Sequence, residues 1–175
     1  MRSPTQVVLA FEVRSPADGS VNKYFSPLTL EQVNRKTGLR VEAILGWLKD
    51  PRAEVNPDNF VENAAYIRFL HETIGKYFEQ CPSLAAEAHR VANGFVYILD
   101  GRTPRQTDRQ LPAEDLIGIV EVREGDLSEY RPADGYRLLT TSGFPVLEPW
   151  LHERLIEELM ALPVIYPAAA RPDPA

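Results

Sequence analysis

The period of the hydrophobic pattern changes three times along this chain, and the order of those changes limits the fold more than any other feature. Val7 to Val13 is a β-branched, mostly apolar run broken at Glu12, which reads as a strand. Ser15-Pro16-Ala17-Asp18-Gly19-Ser20 is turn chemistry, so Val21 to Phe25 is expected to return as the second strand of a hairpin. From Leu28 the apolar residues recur at helical spacing: Leu30, Val33 and Thr37 before Gly38, then Val41, Ile44, Leu45 and Leu48 after it. Two short helices around a glycine turn are the expectation, with Pro51 ending the second. Residues 51–59 read as a loop with a helix start at Asp58 or Asn59. The longest expected helix is Phe60 to Glu79, apolar over so much of its circumference that it belongs at the centre of the core. Cys81-Pro82-Ser83 breaks it, and Ser83 can cap a further helix over Leu84 to Ala92, closed by Asn93-Gly94.

The pattern then returns to strands. Phe95 to Leu99 and Leu116 to Val122 are apolar and β-branched, with a polar, proline-flanked loop over Thr103 to Pro112 between them. Tyr136 to Thr141 is expected as one more strand, and Glu148-Pro149 opens a last amphipathic helix. The order gives an α+β fold: a helix-turn-helix-like pair over 28–50 and two longer helices packed on a small antiparallel sheet, closed by the C-terminal helix. A single domain over 1–166 and a flexible tail over 167–175 are expected.

At 175 residues and 44% hydrophobic, the chain can bury a core without disulfide staples, which its single cysteine, Cys81, could not supply internally. No apolar run approaches the roughly 20 residues that cross a bilayer. The N-terminus reads as a strand, not a secretion signal. A cytoplasmic protein with no membrane role is the expectation.

Residues 28–48, LTLEQVNRKTGLRVEAILGWL, carry the strongest motif. Leu30 and Val33 would be buried by a first helix, Gly38 would turn the chain, and Leu39 would plug the corner. Val41, Ile44 and Trp47 or Leu48 would seat a second helix. This spacing resembles a helix-turn-helix, most closely the N-terminal motif of MerR-type regulators and more loosely that of phage-repressor-type regulators. The resemblance covers these residues alone. It departs from the pattern at Asn34, where a small alanine is usual, at Arg40, where a Ser or Thr cap is usual, and at Leu45-Gly46, where basic residues are usual.

The resemblance implies a second helix lying in the major groove of duplex DNA. Arg40 and Glu42 would then reach guanine and cytosine edges, while Arg35, Lys36 and Lys49 held phosphates. A two-fold homodimer would follow, as is common among such readers. Over residues 28–54 the side chains sum to only one net positive charge, a thin phosphate-binding footprint, and the whole chain carries −6.

Other chemistry is sparse. The ten glycines form no phosphate-binding loop, and His71, His89 and His152 have no metal-ligand spacing, so no cofactor or metal is expected. Cys81 reads as an inert thiol. Asp100, Arg102, Asp115 and Glu121 could gather at strand ends as an acid–base or cation site, but Asp100-Gly101 is also simple turn chemistry. Aromatic residues such as Tyr97, Tyr130 and Trp150 exceed what a thin core requires, and residues 103–112 and 130–149 are where an interface would present them. The leading expectation is therefore a non-enzymatic, DNA-binding regulator. A protein-binding adaptor or assembly factor is the alternative, and a small enzyme built on Asp100 comes third.

Overall fold

The computed structural model describes residues 6–104 and 110–163, and within them the chain forms two antiparallel sheets and four helices. The expected N-terminal hairpin is present as β1 (Leu9–Arg14) and β2 (Val21–Ser26), paired from Leu9↔Ser26 to Arg14↔Val21. Its reversal is fastened by Asp18, whose carboxylate accepts from the backbone N–H and the hydroxyl of Ser20.

Helix α1 (Leu30–Arg35) follows with a full capping box. Thr29 accepts from the Gln32 backbone N–H at 3.2 Å while the Gln32 side chain accepts from the Thr29 N–H at 2.8 Å. Gly38, at φ +142, then turns the chain as expected.

The second helix expected after Gly38 is not there. Val41–Ala43 is a single 3-10 turn, and Gly46–Leu48 is strand β3, inside a four-stranded sheet of order β1-β2-β3-β4. The physical reason lies in the backbone hydrogen bonds. An α-helix would need the Leu45 N–H to donate to the Val41 carbonyl. It donates instead to Phe25 O at 2.7 Å, and the carbonyls of Val41 and Ile44 are taken by the side-chain amide of Asn63 at 2.8 and 2.7 Å. Gly46 fits a strand better than a helix for a further reason. A methyl built on it would overlap the Val61 carbonyl oxygen and stand 2.5 Å from the Phe60 ring.

Two neighbouring expectations change for related reasons. Phe60–Glu62 is strand β4, not the first turn of the long helix, because it pairs with β3 through Leu48↔Phe60 and Gly46↔Glu62. The helix itself, α2 (Ala64–Tyr77), begins at Asn63, not at Asp58 or Asn59; the Asn63 side chain accepts from Ala65 N–H. One residue thus caps α2 and holds the turn at 41–44. α3 (Pro82–Val91) starts two residues earlier than a Ser83 cap would give, with Pro82 in its first turn and Ala92, at φ 64, reversing the chain at its end.

The second sheet has the order β5-β6-β7, from β5 (Gly94–Leu99), β6 (Leu116–Arg123) and β7 (Asp126–Pro132). β7 falls in a segment too polar to show as a strand in the pattern. The strand expected over 136–141 is irregular chain with one isolated bridge, Thr140↔Gly143. α4 (Pro149–Ala161) closes the described fold.

α2 is central, as expected, burying Tyr66, Leu70 and Ile74; α4 covers it with Leu151, Leu155 and Leu159. The first sheet meets the core through Phe25 and Phe60, whose rings stack about Phe144 at centroid distances of 5.1 and 5.7 Å. The second sheet is joined to α2 by Tyr130. Its ring crosses Gly118, where a methyl would come within 2.8 Å of the hydroxyl, and that hydroxyl meets His71 Nδ1 at 2.7 Å. The architecture is α+β. No helix among the described residues is long and apolar enough to cross a membrane. The expected tail over 167–175 and much of the loop over 103–112 lie outside the described residues.

Candidate functional site

The five residues expected to meet DNA do not form one surface. Arg35 is exposed and pairs with Glu31 one helical turn back. The Lys36 ammonium donates to the carbonyls of Met160, at 2.8 Å, and Leu162. The Arg40 guanidinium donates to Pro163 O at 2.9 Å and to both Glu42 carboxylate oxygens at 3.3 Å, and this contact holds the Glu42 carboxyl below its ordinary range. Lys49 sits apart, on the turn between β3 and β4, donating to Asp58 O at 2.6 Å.

Lys36 and Arg40 therefore gather the unpaired carbonyls at the C-terminal end of α4. The last carbonyls of a helix lack intrahelical partners and carry partial negative charge, so cations are favoured there. This internal contact accounts for Lys36 and Arg40, whereas Arg35 and Lys49 are engaged elsewhere.

The carboxylate constellation also takes a different form. Asp100, Arg102 and Asp115 do converge, but in the interior and about the arginine, whose side chain is 1% exposed. Arg102 Nε donates to Asp115 Oδ1 at 2.7 Å, and its terminal nitrogens donate to the carbonyls of Leu138, Gly143, Glu114 and Arg137. Asp100 accepts from Tyr136 Oη at 2.8 Å and from the backbone N–H of Arg102 and Val146. Burial pushes the Asp100 carboxyl up, and those hydrogen bonds pull it back. The cluster fastens the irregular segment 136–146 to the ends of β5 and β6. Glu121 is remote from it, paired with Arg123 on the solvent face of β6.

The remaining candidates separate as well. His71 lies behind Tyr130 and His152 lies half-buried on α4. Among the described residues no group of three His, Cys, Asp or Glu could hold a metal ion. Cys81 is buried, and burial raises its thiol, the wrong direction for a nucleophile. A cleft of about 580 Å³ lies between β4 and residues 137–141, but its charges face one another: Arg137 approaches Glu62 at 3.8 Å.

The two histidines make the fold sensitive to mild acid. Burial depresses both imidazoles below 6.5, with Glu153 partly opposing this at His152. Below that value the unfolded chain binds protons that the folded chain refuses, so stability is complete above pH 6.5 and declines as the pH falls through the unfolded value. The urea midpoint is expected to drop between about pH 7.5 and 5.5, and a His71→Gln/His152→Gln chain to show a smaller drop. Equal slopes in the two chains would refute this.

What the sequence reading missed is an edge. Sheet edges present unpaired N–H and C=O groups, and natural chains blunt them with charge, proline or shortness. β1 carries Glu12 and Arg14, β4 has three residues, and β7 carries Asp126, Glu129, Arg131 and Pro132. β5, Gly94-Phe95-Val96-Tyr97-Ile98-Leu99, has none of these devices, and no described strand pairs with its outer side.

Its inward residues Val96 and Ile98 are buried, while Phe95 and Tyr97 are 52% and 55% exposed on the other face. Beside this edge runs a groove of about 510 Å³ against α3, floored by Leu84 and Val96 and carrying Glu87, Arg90 and Glu148. Tyr97 and Leu99 also continue into an apolar trough with Leu111, Pro112 and Leu116. The available signal was the absence of any charge in a strand whose alternate residues are aromatic.

No protein family matches the chain, and no curated protein or solved structure matches it.

Proposed function

We propose that this chain is a non-enzymatic protein-binding module that associates by adding a strand to the free edge of β5. The observation that carries the reading is the contrast among the four edges: three are blunted, and β5 is uncharged, six residues long and lined by two half-exposed aromatic rings. Strand addition draws affinity from main-chain hydrogen bonds and specificity from alternate side chains, and a groove flanked by a helix suits it.

The reading as a regulator on duplex DNA needs a helix that offers Arg40 and Glu42 to a groove. No observation favours it, since that stretch is a turn and a strand, and Lys36 and Arg40 are engaged at the end of α4.

Extended peptides selected from a displayed library against the chain should protect the amides of Gly94–Leu99 from hydrogen exchange. Phe95→Lys/Tyr97→Lys should weaken their binding by about tenfold or more, because aromatic residues at such sites carry much of the affinity. Peptides that bind while those amides exchange freely would overturn the proposal.

A further inference from the structure

The edge of β5 has an occupant that its own chemistry specifies. We infer that β5 pairs antiparallel with β5 of a second copy of this chain, about a two-fold axis through Val96, joining the two three-stranded sheets into one of six strands. This rests on the strand-addition reading above and names the partner.

Register follows from the alternation. Residues directly opposite in an antiparallel pair share a face. Phe95, Tyr97 and Leu99 lie on the outer face, and Gly94, Val96 and Ile98 on the face toward α3. With Val96 opposite its own counterpart, each Phe95 stands opposite the Tyr97 of the other copy. Two aromatic cross-strand pairs then cover rings that stand about half exposed in the single chain. No like charges meet across the axis, because the strand has none.

The groove beside β5 carries the Arg90–Glu87 ion pair toward one end and the Glu148 carboxylate at the other. α3 packs against β5 and the chain reverses over Ala92-Asn93 between them, so the two elements run antiparallel. Arg90, in the last turn of α3, therefore lies at the Gly94 end of the groove. Glu148 lies at the Leu99 end, where its Oε1 accepts from the Ser83 hydroxyl at 3.1 Å in the first turn of α3. A two-fold axis through Val96 exchanges the ends, setting the Arg90–Glu87 ion pair of each groove beside Glu148 of the other, so that each patch meets its own copy as an isologous interface requires.

The test is sedimentation equilibrium of the full chain with hydrogen exchange across a concentration series. The mass should rise from 19.7 kDa toward twice that value, with protection of Gly94–Leu99 rising in step. Phe95→Lys/Tyr97→Lys and Phe95→Glu/Tyr97→Glu chains, altered at half-exposed positions, should each remain monomeric with unchanged far-ultraviolet circular dichroism. Mixed, the two should form a one-to-one dimer, since every Lys then faces a Glu. The unsubstituted chain alone decides the matter should either variant fail to fold. A monomer at every concentration removes the second copy; if selected peptides still protect β5, strand addition stands without it. A dimer that leaves the β5 amides open likewise removes the second copy from this edge, and the peptide experiment alone then decides strand addition.

Discussion

Arg102→Met is expected to cost about 3–5 kcal/mol, the usual consequence of breaking one side of a buried ion pair, and to lower the melting temperature by about 10 °C. The arginine is shaped for its position: its donors reach Asp115 and four carbonyls drawn from residues 114, 137, 138 and 143. Its guanidinium also lies 5.5 Å from the centre of the Tyr136 ring. Removing it leaves a buried carboxylate without its cation and several carbonyls without donors, and each loss is uncompensated because water has no access. Asp115 Oδ2 has no hydrogen-bond partner among the described residues, so that carboxylate has little in reserve. Lysine should not rescue, because a point charge cannot replace a planar fork. An Arg102→Met/Asp115→Leu chain should recover part of the loss, since the orphaned charge goes with its partner. Arg123→Met, on the solvent face, should leave the midpoint where it is. Urea titration of the four chains checks all of this, and a loss at Arg102 no larger than at Arg123 would show that the cluster contributes nothing.

Gly46→Ala is expected to destabilise by about 3 kcal/mol, at the upper end of overpacking costs, because the obstacle is backbone. The added methyl would meet the Val61 carbonyl and the Phe60 ring, and Val61 cannot retreat without parting β3 from β4. Gly75→Ala gives the opposite sign. It sits within α2, its added methyl would meet Tyr130 at an ordinary 3.7 Å, and helix propensity then favours alanine by about 1 kcal/mol. Paired denaturation curves that moved in the same direction would contradict this account of both glycines.

Gly46 also shows where a single sequence stops being legible. The hairpin, α2, β5, β6 and α4 are all visible as runs of one period, because each buries a face whose residues are neighbours in sequence. Residues 41–48 satisfy a helical period equally well, and what decides against it is a hydrogen bond to Phe25 and another pair from Asn63, partners that no local pattern contains. Gly46 marked the conflict, since it weakens a helix and suits a close backbone approach. β7 escaped because it is amphipathic with a charged outer face, its inward positions reduced to Leu127 and Tyr130.

The candidate site was half legible. The arginine and two aspartates that gather at Arg102 could be named, but not that they would be interior. The edge of β5 could not be separated from a strand buried on both sides, because an apolar run reads alike in either setting.

The link between Lys36, Arg40 and the end of α4 spans more than 120 residues of chain, as does that between Gln6 and Leu147. During synthesis from the N-terminus, the hairpin and α1 emerge long before the segment that completes them. The four-stranded sheet can pair once Glu62 has emerged, but the ribosome must deliver the chain through Pro163 before Lys36, Arg40 and Gln6 find the partners that seat it on the rest of the fold.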